Sequence, residues 1–129
     1  EALIANQAAD IHAMHDPTEG GLATGLFELA RVSNTGVMIY EEKIKCLEEA
    51  RILCSEYELD PMGVIASGAL LIVVDPDDRE AVTSKLVQNG IECSVIGKLT
   101  DKEDGLKMII DEKSRDLPLF EVDEITKII

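Results

Sequence analysis

The chain has 129 residues, 12 of them basic and 26 acidic, and a formal charge of −14. That is one domain's length, and a chain of this size buries roughly two-thirds of its unfolded surface, enough for its own core. The 46% hydrophobic content argues against disorder. The acidic balance argues against nucleic acid or an anionic membrane as partner, because both contacts draw on Lys and Arg. Only Phe27, Phe120, Tyr40 and Tyr57 are aromatic, so aliphatic side chains and Met must fill the interior. Cys46, Cys54 and Cys93 are odd in number and lack Cys-x-x-Cys spacing, which predicts reduced, mostly buried thiols in a cytoplasmic protein. No apolar run reaches the ~20 residues of a membrane span. The opening Glu1-Ala2-Leu3-Ile4 has no basic segment of the kind that starts a secretory leader.

Residues 1–10 read as a short helical piece, with Leu3, Ile4 and Ala8 on one face, as at the end of a longer interdomain helix. Residues 11–15 read as a short buried strand. A loop of breaker residues follows, Asp16-Pro17-Thr18-Glu19-Gly20-Gly21. Leu22, Leu26, Leu29 and Ala30 recur at helical spacing, predicting a helix over 20–33 that Asn34-Thr35-Gly36 ends, with glycine the favoured left-handed cap. Val37 to Tyr40 is a second strand. A helix over 46–57 has Leu47, Ala50, Ile52 or Leu53, and Cys54 as its apolar face. Residues 69–74 form an unbroken apolar run, predicting a central strand covered on both faces. A helix over 78–89 turns Ala81, Val82, Leu86 and Val87 inward, and Ile91 to Leu99 is a strand. Leu106 to Asp111 is another, expected antiparallel to the one before it. The tail 117–129 holds Pro118, Phe120 and a short amphipathic end. Strands alternating with helices give an α/β or α+β layered domain, and Leu70 to Ile96 has the order of a βαβ unit or a ferredoxin-like half.

The strongest chemical signal is His15-Asp16-Pro17-Thr18-Glu19-Gly20-Gly21 between strand and helix. Free N–H groups and the positive end of the helix dipole make such a place an anion site, and paired glycines admit a ligand to the backbone. The same residues also make an ordinary helix start, with Asp16 or Thr18 accepting a backbone N–H and Glu19 completing the cap. There is no Gly-Lys-Ser/Thr of a P-loop. His12 and His15, three apart on a strand, point to opposite faces and suit no shared metal. Ser67-Gly68 interrupts an apolar stretch, as a bend or as backbone approaching a ligand. Ile65 and Ala69 stand where a Gly-x-Ser-x-Gly elbow needs glycines, which rejects a serine hydrolase.

Met14-His15-Asp16-Pro17-Thr18-Glu19-Gly20-Gly21-Leu22-Ala23, then Glu28-Leu29-Ala30, Gly36-Val37, Ile65 to Leu71 and Ile96-Gly97, resembles the C-terminal domain of the aminoimidazole ribonucleotide (AIR) synthetase superfamily, in its hydrogenase-maturation branch. The resemblance spans roughly residues 10–100. It implies an α+β fold, a three-layer α/β/α sandwich with a mixed sheet of partly ferredoxin-like topology, making 1–129 a single C-terminal domain. It implies a missing N-terminal domain that dimerises and holds most of the ATP and Mg²⁺ site, so that this chain is a substrate- and phosphate-handling part, inactive alone. By position, Asp16, Thr18, Glu19, Gly20 and Gly21, with Ser67 and Gly68, lie at the cleft, and Asp16 is the candidate Mg²⁺ ligand. Members of the branch usually carry Arg at the position of Glu19, and they end in a reactive Cys. This chain ends Ile125-Thr126-Lys127-Ile128-Ile129. The competing expectation is a stand-alone module that binds a small molecule or another protein.

Overall fold

The computed structural model describes all 129 residues. Four helices and six strands follow in the order α1 (Ala2–Ala8), β1 (Ile11–His15), α2 (Gly21–Ser33), β2 (Gly36–Tyr40), α3 (Glu48–Glu56), β3 (Leu71–Val74), α4 (Arg79–Gln88), β4 (Gly97–Thr100), β5 (Leu106–Ile110) and β6 (Lys113–Asp116). The fold is α+β, with helices packed on mixed strand layers.

β2 lies inside a four-stranded sheet of order β4-β2-β5-β6. It pairs antiparallel with β4, Val37 opposite Leu99, and parallel with β5, Val37 opposite Leu106. α2 buries Ala23, Leu26 and Ala30, a helical stripe. Leu26 and Ala30 join Val37, Ile39, Met108 and Leu117 in the main core. A second core forms where Ala5 of α1 meets Val82 and Leu86 of α4, flanked by Ile11, Met14, Ile72 and Val74 of β1 and β3. These two strands form a separate antiparallel ribbon, His15 opposite Leu71. Leu71 also packs against the main core, so the two layers touch at that end of the ribbon.

Several expectations need correction. β3 is not central; its one strand neighbour is β1. β5 does not pair with β4, because β2 lies between them. Residues 91–96 form no strand, and β3 and β4 belong to different sheets, so 70–96 is not a βαβ unit. Ala81 and Val87 are exposed on α4. On α3 only Cys54 is buried, while Ile52, Leu53 and the preceding Leu47 face outward. The left-handed cap of α2 is Asn34, φ 57°, whose N–H donates to the Ala30 and Arg31 carbonyls; Gly36 opens β2 instead. No helix is long and apolar enough to cross a membrane.

Candidate functional site

β1 delivers the chain into the 16–20 loop at one end of the β1–β3 ribbon. Its antiparallel register puts the segment preceding β3 at the same end. Pro17 is fully buried and seats against Gly25, where an added Cβ would lie 2.6 Å from the proline Cβ. The Thr18 carbonyl then accepts two N–H groups, from Gly21 at 3.1 Å and from Ala66 at 3.2 Å. One oxygen thus ties the start of α2 to the 66–69 turn. That turn is closed by Ala69 N–H donating to the Ala66 carbonyl at 3.0 Å. Gly68 sits at its third position with φ 98°, as a type II turn demands, and an added Cβ there would meet nothing within 4 Å. The structure therefore brings Asp16, Thr18 and Glu19 to the same edge as Ser67 and Gly68. All five are exposed, whereas Gly20 and Gly21 are buried.

The helix terminus is not an open anion cradle. Gly20 N–H donates to Asp123 Oδ2 at 2.8 Å, across 103 positions of sequence. Gly21 N–H is taken by Thr18 and Ala23 N–H by the Met62 carbonyl at 3.0 Å. A Cβ on Gly21 would stand 2.5 Å from the Met62 carbonyl oxygen and 2.6 Å from that of Val64. What approaches this glycine is the chain's own 62–64 backbone. The capping expectation is corrected with it: Gly20 is the cap residue, no side chain of the loop caps it, and the acceptor arrives from the C-terminal segment.

That segment holds the residues that sequence reasoning missed. Asp123 and Glu124 are 8% and 7% exposed, the two buried acids of the chain. Asp123 Oδ1 also accepts Ile125 N–H at 2.9 Å, capping a 3₁₀ turn over Glu124–Lys127. Glu124 Oε2 accepts Asp60 N–H at 3.0 Å and the Lys127 ammonium at 2.6 Å, while Glu124 N–H donates to the Gly63 carbonyl. The Asp60 N–H, then Lys127, hold the Glu124 carboxyl below the usual glutamate value. A clasp of two carboxylates thus fixes the 60–63 segment and the entry to α2.

The exposed edge is acidic. Neither 11–30 nor 60–72 contains Lys or Arg. His15 Nε2 lies 2.8 Å from Glu28 Oε2, and His12 Nε2 lies 3.2 Å from Asp75 Oδ2, so each imidazole pairs with its own carboxylate. No three His, Cys, Asp or Glu side chains cluster closely enough to hold a metal. These residues therefore do not build a complete site for Mg²⁺ or ATP; they offer two carboxylates and a stretch of open backbone. The cysteine expectation holds for Cys54, which is buried, and in part for Cys93, but Cys46 is exposed. Burial raises the Cys54 and Cys93 thiol pKa values.

Residues 1–112 match the family described as AIR synthase related protein, C-terminal domain. The chain belongs to this family. Among its relatives, a putative hydrogenase expression/formation protein of Methanocaldococcus jannaschii is 32% identical over 90% of this chain. The carbamoyl dehydratase HypE of Rhizobium leguminosarum bv. viciae is 37% identical over 74% of it. The structure of the hydrogenase maturation protein HypE in complex with ATP superposes over 89% of the chain, with a TM-score of 0.80 and 30% identity. The chain thus falls in the hydrogenase-maturation branch. It spans 36% and 28% of the two relatives' lengths and 37% of the HypE chain.

Proposed function

We propose that residues 1–129 are the C-terminal domain of a longer, HypE-like, ATP-dependent enzyme, and that the 16–20 loop and the 66–68 turn together form one wall of its nucleotide cleft. The observation that carries this reading is the doubly accepting Thr18 carbonyl, which locks the two segments into one exposed edge. Asp16 and Glu19 are the carboxylates this wall offers to a nucleotide-bound Mg²⁺. The edge lacks Lys and Arg, so it repels free phosphate oxygens and tolerates them only once a cation has neutralised them. Thr18, Ser67 and the open backbone at Gly68 supply hydrogen-bonding groups. Gly20 and Gly21 act from beneath, by letting the loop and the 62–64 backbone pack closely. The remaining ligands, and the homodimer contact, come in this reading from a preceding N-terminal domain, to which α1 leads. The enzyme works in the cytoplasm.

Calorimetric titration with Mg·ATP tests this directly. The 129-residue chain alone gives no saturable binding, and the longer protein containing it binds with defined stoichiometry. Saturable Mg·ATP binding by the isolated chain, lost in Asp16→Ala, would show a self-sufficient module and overturn the proposal.

A further inference from the structure

At the far end of α2 from the candidate edge lies a cavity of about 320 Å³ between the last turns of the helix and the start of β5. With 13 residues in α2, the two places are separated by about 20 Å of helix. Phe27, Ala30 and Leu106 form an apolar floor, and Arg31 and Lys102 stand on the wall with Asn34. No acidic side chain lines it. Arg31 makes no ion pair, and the Lys102 ammonium is held by a neutral acceptor, Asn34 Oδ1, at 2.7 Å. Neither positive charge is therefore taken up in an ion pair within the chain, although its net charge is −14.

Backbone contacts hold in place the elements that frame the cavity. Asn34 caps α2 in a left-handed turn, and Val37 N–H donates to the Gly105 carbonyl at 3.0 Å, fixing β2 against the entry to β5. Ala30 belongs to the main core and Leu106 packs on it. The cavity is half open to solvent, and its make-up is an apolar base with a few convergent polar groups.

We propose that this cavity is a second binding site, specific for a compact organic anion: a carboxylate or phosphate ester on a flat apolar body. The body packs on Phe27 and Leu106, while the anionic head meets the Arg31 guanidinium and the Lys102 ammonium. An inorganic anion gains nothing from the floor, and a neutral ring gains nothing from the cations, so the two parts must be joined in one ligand. The site is independent of the nucleotide cleft, because no residue is shared.

The test is two-dimensional NMR of the ¹⁵N-labelled chain titrated separately with phenyl phosphate, benzoate and inorganic phosphate. The expected result is saturating shifts of the Arg31, Asn34, Thr35 and Gly105 amides with one or both aromatic anions, at roughly 1–10 mM. Which of the two binds more tightly distinguishes a phosphate from a carboxylate head. Inorganic phosphate gives no saturation there. Arg31→Gln and Lys102→Gln each weaken binding about tenfold, the worth of one charge-assisted hydrogen bond. Both residues are exposed, so the variants keep the wild-type spectrum elsewhere. Absence of saturation with both aromatic anions, or shifts that persist unchanged in the double variant, would overturn the proposal.

Discussion

Asp123 joins the C-terminal segment to the candidate edge, and removing its carboxylate tests whether that junction holds the loop. In Asp123→Ala the Gly20 N–H loses its acceptor at 2.8 Å in a position where the glycine itself is buried. An unsatisfied buried donor costs about 1–3 kcal/mol. The 3₁₀ turn loses the bond from Ile125 N–H as well, a capping loss of about 1 kcal/mol. Together the expected loss is about 2–4 kcal/mol, a large part of the ~5–15 kcal/mol by which a domain is stable. Asp123→Asn discriminates further. The two carboxylate oxygens accept from different N–H groups, and an amide has one oxygen, so its NH₂ must face the other donor. Asparagine therefore recovers about half of the loss at most. The assay is urea unfolding, read as a fall in the midpoint at unchanged slope. A loss below about 0.5 kcal/mol in Asp123→Ala, the range of ordinary surface changes, would refute the clasp.

Three further outcomes follow from the same geometry. Gly21→Ala places a Cβ 2.5 Å from the Met62 carbonyl oxygen at φ 66°, so strain and overpacking cost about 2–5 kcal/mol; Gly68→Ala meets no atom and costs only about 1–2 kcal/mol of left-handed strain. In the longer protein Gly68→Ala therefore separates nucleotide binding from folding, which paired melting and Mg·ATP titration would read, and equal melting losses in the two variants would contradict it. Because Glu124 has its pKa depressed in the fold, its stabilisation is present above the unfolded glutamate value and is lost as pH falls through the folded one. Glu124→Gln should accordingly flatten the acid limb of the stability–pH curve, and an unchanged limb would count against the Asp60 contact. Timed iodoacetamide labelling with mass spectrometry should modify exposed Cys46 first, with Cys54 and Cys93 slowed by burial and raised pKa values; labelling of Cys54 as fast as Cys46 would contradict the packing of α3.

The signals that were legible in the sequence were local ones. The 16–21 loop, α2 and β2 each announce themselves through breakers or periodicity within a few residues. The run at β3 reports coverage of both faces, which is met by Leu71 on one core and Ile72 and Val74 on the other; it carries no count of strand neighbours. The β4–β5 pairing failed because neighbours in sequence pair often but not always, and nothing in either strand marks β2 as the intervening one. β6, Lys113-Ser114-Arg115-Asp116, escaped because every residue is exposed and polar, as suits an edge strand that must not recruit another. Its turn uses Asp111 and Glu112 at φ 48° and 62°, a hairpin geometry for which Glu is an unusual choice. Asp123 and Glu124 were the hardest to see. In a chain with 26 acids, two more near the end look solvated, and their partners lie 103 and 64 positions away. At the edge itself, sequence reasoning chose residues that the fold does assemble, but it assigned the glycines to a ligand when their neighbours are the chain's own carbonyls.

The central claim is that the 16–20 loop and the 66–68 turn form one wall of a nucleotide cleft. The most direct measurement is hydrogen exchange of the longer protein, with and without a non-hydrolysable Mg·ATP analogue at saturation. The account predicts that the amides of Asp16, Glu19, Ser67 and Gly68, residues exposed in this chain, become protected together, while the Arg31–Thr35 amides around the second cavity do not change. Saturable nucleotide binding that leaves both the loop and the turn exchanging at their free rates would contradict it.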